Sequence, residues 1–212
     1  MAAQEEKANL GHIFKADSAA VIVAHPDDET LWAGGVMLMH PKTRWTIITL
    51  CRKSDADRTP KFFRALKEYG AEGLMGDLDD SPHQRPLDKK IVKQTIMDLL
   101  PSRKFDIIIT HSTSGEYTRH LRHEETGKAC LELWRSGQLS AVQVLAFAYE
   151  DGLKQYLPKA IEGADLFVEL PAKVWHKKYD IITKIYGFGP ESFEARTTPR
   201  QEAFWRFEKN SS

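Results

Sequence analysis

The segment Ala24-His25-Pro26-Asp27-Asp28-Glu29 sets a histidine beside two adjacent carboxylates. A histidine and one carboxylate can hold a divalent cation, and the other carboxylate stays free to take a proton. A second cluster, His120-Leu121-Arg122-His123, has the spacing that puts two imidazoles on one face at the start of a helix. A catalytic zinc site wants three protein ligands and one open position. His25, Asp28 and His123 supply two nitrogens and an oxygen, and Asp27 and His120 are left over. Asp27 is then the general base toward an activated water. His120, as imidazolium, is suited to stabilise an oxyanion or to protonate a leaving group. This is a kit for metal-assisted hydrolysis of an amide or ester. The ligand set also suits Fe2+. Zn2+ is the expected cofactor because oxygen chemistry has no need of the Asp27–His120 pair.

Both clusters have to be delivered to one place. Apolar runs at 19–24, 45–51, 105–110 and 143–149 read as strands, with a weak one at 73–75 and a sixth at 165–170. Helical patterns fall at 30–39, 60–69, 87–100, 122–135 and 171–186, with Gly70 and Pro101 as stops. The aromatic tail, 198–209, reads as a last helix that packs Phe204, Trp205 and Phe207. Strands alternating with helices predict a single-domain α/β fold, Rossmann-like, with a mostly parallel sheet and helices on both faces. The domain is expected over 18–212, after a polar segment at 1–17 and with a helical C-terminal elaboration. In the doubly wound order strands one and four are neighbours at the switch point. The loops carrying His25–Asp28 and His111–His123 then face one crevice.

The first motif, followed by Gly34-Gly35, and the paired histidines after strand four resemble the LmbE/PIG-L family of zinc-dependent N-deacetylases. The resemblance spans roughly residues 19–150. It implies His25, Asp28 and His123 as metal ligands, Asp27 as base and His120 as acid or oxyanion stabiliser, matching the assignment from the residues alone. It also implies acetate removal from an N-acetylglucosamine-type small molecule, free or conjugated. Arg58 matches a sugar-contacting arginine, although Lys61 stands where a glutamate is usual. Arg122 stands where the family has an aspartate that orients the acid histidine, and Glu116 is a candidate for that task. Arg58, His111, Glu116 and Tyr117 are the residues expected to meet the substrate.

Plainer roles exist for most of these side chains. Asp27 or Asp28 would serve as a helix cap, Glu29 as a first-turn carboxylate or as a partner of a ligand histidine, and Arg119 and Arg122 as a solvated basic face. Gly34-Gly35 lacks a phosphate-loop pattern and suits close helix packing. Thirty basic and 30 acidic residues balance to a formal net charge of zero, which argues against a nucleic-acid partner. Cys51 and Cys130 have no metal-binding spacing and read as core residues. No apolar run is long enough to span a bilayer, and the polar N-terminus does not resemble a secretory signal, so a cytoplasmic location is expected. A homo-oligomer is compatible with the sequence. Two other functions stay open: a zinc hydrolase of a non-sugar amide or ester, and a non-catalytic Rossmann-like module that binds a sugar or nucleotide.

Overall fold

The computed structural model describes residues 16–83 and 85–208. β1 (Ser18–Val23) is buried along its whole length, as a central parallel strand must be when helices cover both faces. It is followed by α1 (Asp28–Met39), β2 (Arg44–Cys51), α2 (Arg58–Tyr69) and β3 (Glu72–Leu78). Next come α3 (Lys89–Leu99), β4 (Phe105–Thr110), α4 (Leu121–Arg135) and β5 (Ala141–Phe147). β6 (Tyr149–Glu150) and β7 (Lys159–Ala160) pair as a separate ladder. β8 (Leu166–Glu169), α5 (Ala172–Asp180), a π-helical turn (Ile181–Ile185), α6 (Phe193–Thr197) and β9 (Gln201–Glu208) complete the chain.

Seven strands form one sheet in the order β3-β2-β1-β4-β5-β9-β8. β1 pairs in parallel with both β2 and β4, so the expected neighbours at the switch point are neighbours. Strand side chains alternate between faces, and β1 shows it directly. Ala19, Val21 and Val23 pack with Trp32 of α1, Phe62 of α2 and Ile181. Ala20 and Ile22 pack with Val92 and Ile96 of α3 and Trp134 of α4. The result is a single α/β layer structure with helices on both faces. Both cysteines are buried and free.

The tail departs from expectation. Residues 201–208 form a strand, not a helix, and β9 runs antiparallel between β5 and β8. Phe204 packs into one core layer while Phe207 lies against the other, as alternation in a strand demands. Aromatic side chains favour such a pleated, half-buried surface. Lys209, where the helix was expected to end, lies outside the described residues, as do residues 1–15 of the expected N-terminal segment.

Gly34-Gly35 permits close packing, as expected. A Cβ at Gly35 would stand 2.3 Å from a Leu170 side-chain carbon. The same stretch of α1 meets β9 through a buried carboxylate: Glu202 accepts from the backbone N–H of Gly35 at 2.7 Å and of Val36 at 2.8 Å. Lys178 Nζ of α5 donates to Glu202 at 2.7 Å, and both side chains are fully buried.

Candidate active site

The C-terminal ends of β1 and β4 lie side by side, with Ile22 opposite Thr110 in the ladder. The chain leaving β1 turns at His25–Asp27 and enters α1, whose first turn holds Asp28 and Glu29. Asp28 Oδ2 accepts from the His25 backbone N–H at 2.9 Å and lies 3.0 Å from His25 Nδ1. The chain leaving β4 brings His123, on the first turn of α4, to the same point. Its Nε2 is 3.3 Å from Asp28 Oδ2 and 3.3 Å from His25 Nδ1. Three ligand atoms from two loops thus converge. An ion held tetrahedrally at about 2.0–2.1 Å places its ligand atoms about 3.3–3.4 Å apart, so His25, Asp28 and His123 fit a metal.

Two other sets of described residues overlap this one, His25–His120–His123 and Asp28–His111–His123, each with ligand atoms within 4.8 Å of one another. His111 has both ring nitrogens engaged: Nε2 accepts from the Ala24 N–H at 3.0 Å, and Nδ1 faces Glu116 Oε2 at 2.8 Å. Burial opposes its charge, yet Glu116 and Asp28 draw its pKa up to about 9. That pull conflicts with the Ala24 N–H, which needs a lone pair on Nε2. With one nitrogen taken by that backbone donor and the other by Glu116, His111 serves as a buttress behind the cleft.

Glu116 is fully buried and takes the second His123 nitrogen, Nδ1, at 2.7 Å and the Ser112 backbone N–H at 2.9 Å. Burial would raise this carboxyl, but His111 and His123 outweigh it and lower the pKa to about 2. With its proton on Nδ1 toward Glu116, His123 directs a lone pair from Nε2 at the point of convergence. Asp28 is held well below the usual carboxylate range because the His123, His111 and His25 rings overcome its burial.

Asp27 stands apart from the three converging atoms. It sits at the N-cap position of α1, yet its side chain makes no capping bond. Its carboxylate pairs instead with Arg58 at 2.8 Å. Burial and neighbouring Asp28 push its pKa well above the ordinary value, with Arg58 opposing. Its φ of 118° is a strained backbone for a non-glycine residue. Glu29, fully buried, supports that turn by accepting from the Asp27 N–H at 3.0 Å and from the Tyr186 hydroxyl at 2.7 Å.

The cleft, of about 150 Å3, is lined by His25, Asp27, Asp28, Arg58, Tyr117 and His120, with Arg52, Asp80, Phe193 and Glu194 along its walls. His120 stacks on His123 with ring centroids 4.1 Å apart. Burial, then the nearby His123 and His25, lower its pKa to about 3, so the expected imidazolium is a neutral ring in this structure. Its buried Nδ1 has no hydrogen-bond partner.

Of the side chains expected to meet the substrate, Arg58 and Tyr117 line the cleft. His111 and Glu116 do not: both are fully buried behind His123. Glu116 orients His123 and not His120, because its loop folds under His123. Arg122 is no solvated residue either, at 1 % exposure. Asp80 and Arg52 escaped the sequence reading. Asp80 lies 3.2 Å from His25 Nε2 and 2.7 Å from Arg52 Nη2. Its signal was its place just past the C-terminal end of a third parallel strand, the edge where such sheets put their chemistry.

A mostly parallel α/β sheet with a histidine–carboxylate cluster at its switch point defines the class. Residues 20–134 match the model of the PIG-L family, GlcNAc-PI de-N-acetylase, and the chain belongs to that family. It is similar to N,N'-diacetylchitobiose deacetylase of Pyrococcus horikoshii, with 14% identity and a TM-score of 0.70, over 92% of this chain and 85% of that one. A zinc-inhibited form of teicoplanin deacetylase matches with 12% identity and a TM-score of 0.66, over 92% and 100%. GalB, the 4-carboxy-2-hydroxymuconate hydratase of Pseudomonas putida, matches with 16% identity and a TM-score of 0.62, over 92% and 98%. These likenesses establish the fold, and a fold hosts more than one reaction. An uncharacterised protein of Acanthamoeba polyphaga mimivirus is 22% identical over 134 residues, 57% of this chain, and the match spans only 59% of that relative's length. Among the described residues, no helix is long and apolar enough to cross a membrane.

Proposed function

We propose that the chain is a metal-dependent hydrolase that removes the acetyl group from an N-acetylated amino sugar or its conjugate. The observation that carries this reading is the convergence of His25 Nδ1, Asp28 Oδ2 and His123 Nε2 within 3.0–3.3 Å, with Asp27 beside them on the cleft. Membership of a de-N-acetylase family supports it.

His25, Asp28 and His123 would hold the cation, which when bound supplies Lewis-acid polarisation of the amide carbonyl and a water of lowered pKa. Asp27, oriented by Arg58, takes a proton from the attacking water as the C–O bond forms. His120 and Tyr117 offer donors to the oxygen that gains charge. A neutral His120 suits that donor task better than protonation of the leaving group. The proton carried by Asp27 returns to the nitrogen as the C–N bond breaks, so water and amide yield acetate and amine. Zn2+ is the favoured ion and Fe2+ the alternative.

The test is metal analysis of purified protein combined with amine release from a panel of N-acetylated sugars. About one zinc per chain and sugar-dependent amine release are expected. Metal-free protein with full turnover would sink the reading. One observation favours a second reading, a non-sugar amide or ester: Lys61 pairs with Asp57 at 2.6 Å and does not line the cleft, so a sugar-contacting set around Arg58 is incomplete. Simple N-acetyl amines in the same panel separate the two.

A further inference from the structure

Arg122 and His123 leave the same turn of α4 in different directions. His123 runs to Asp28 and His25, and Arg122 runs to the segment that follows β3. Arg122 Nε donates to the Asp79 carbonyl oxygen, Nη2 to the Arg85 carbonyl oxygen at 2.9 Å, and Nη1 to Glu125. Glu125 in turn accepts from the Leu87 N–H at 2.8 Å. A buried guanidinium with its fork filled fixes all its acceptors at once. The backbone at Asp79 is therefore tied to the helix that supplies His123.

Asp80 is the next residue. One of its oxygens pairs with Arg52 and the other stands 3.2 Å from His25 Nε2. That approach is short but poorly directed, and Nε2 is buried with no well-aligned hydrogen bond. The two ligand histidines are thus mirrored. Glu116 backs His123 at Nδ1 and leaves Nε2 to the site. Asp80 backs His25 at Nε2 and leaves Nδ1 to the site. A carboxylate behind a ligand histidine sets its tautomer and raises its basicity.

We propose that Asp80 and Arg122 are a coupled pair of positioning residues: Arg122 fastens the Asp79–Asp80 backbone to α4, and Asp80 stands behind the His25 ring at Nε2, so that Nδ1 faces Asp28 and His123. The inference deepens the metal-site reading above and rests on it. It also gives the arginine a task of its own at a position where the family resemblance led us to expect an aspartate.

The experiment uses the full chain and zinc, with affinity measured by competition against a chromophoric chelator. Asp80→Ala should weaken zinc binding about 10- to 100-fold. Asp80→Asn, which keeps an acceptor oxygen without the charge, should recover part of the loss. Arg122→Lys should shift affinity the same way by less. Arg122→Leu risks the fold, so Asp80→Ala is the deciding variant. An Asp80→Ala protein with unchanged zinc affinity overturns the proposal. Wild-type protein that takes up no zinc overturns the metal-site reading, and this inference with it.

Discussion

Helix α1 touches two clusters of buried charge, one at its N-terminus and one at Gly35–Val36, and they differ in what they leave unfinished. Toward β9, Glu202 takes two backbone N–H groups and a lysine, and Lys178 spends its charge on Glu202 with the Pro199 carbonyl 3.4 Å away. At the helix N-terminus, His25 Nε2 and His120 Nδ1 lack good partners, Asp27 sits on strained backbone, and three ligand atoms crowd within 3.0–3.3 Å. Buried charge is costly in both places. Where every group is satisfied the cluster serves as a tie between elements. Where groups are satisfied except toward a cleft, the remaining capacity is available to a cation and a substrate.

Three changes would break or sharpen that contrast. Asp27→Asn should have the largest effect, lowering turnover about 10²- to 10⁴-fold while zinc content stays near wild type. Steady-state kinetics with metal analysis checks it, and wild-type turnover would remove Asp27 from the chemistry. Lys178→Met acts on the other cluster and should cost about 3–5 kcal/mol of stability, because it strands Glu202 in the core. Denaturant unfolding measures it, and the folded fraction should keep its zinc affinity. A variant as stable as wild type would mean that the pair does not tie α1 to β9.

The smallest effect is expected at Asp151, a carboxylate that is satisfied yet near the surface. It accepts from the Thr118 N–H at 2.7 Å and hydroxyl at 2.6 Å, anchoring the loop that carries Tyr117 and His120. Burial would raise its pKa, but the Thr118 donors win and lower it. A depressed folded pKa contributes stability above the unfolded value of about 3.9, and that contribution is lost as pH falls through the folded value. Asp151→Asn should cost about 1 kcal/mol at neutral pH, and the gap to wild type should close below about pH 4. Melting curves across that range test the sign; a gap that widens in acid would reverse it.

The parallel half of the fold was legible because its strands are continuous apolar runs, buried on both faces, such as Ile47–Ile48 and Ile107–Ile109. Position at two strand ends then brought His25, Asp28 and His123 together without any contact information. The antiparallel edge was less legible. Phe204, Trp205 and Phe207 satisfy a helix as readily as a strand when read alone, and only pairing with β5 and β8 decides. Burial was also hidden. Glu116 and Arg122 are charged residues in a polar stretch, which reads as solvent-facing, yet both are enclosed by their loops. Asp80 carried one signal, its place just past β3, but it is one aspartate among several in a segment with no periodicity to single it out.

The backbone at Asp27 carries a consequence for how such a chain tolerates change. A φ of 118° is territory that glycine enters freely and that costs another residue about 1–3 kcal/mol. Selection for heat resistance alone would drift toward glycine at this position, and, with Asp27 as the proposed base, selection for turnover would hold the aspartate. On that proposal the N-cap of α1 is a point where durability and activity trade against each other.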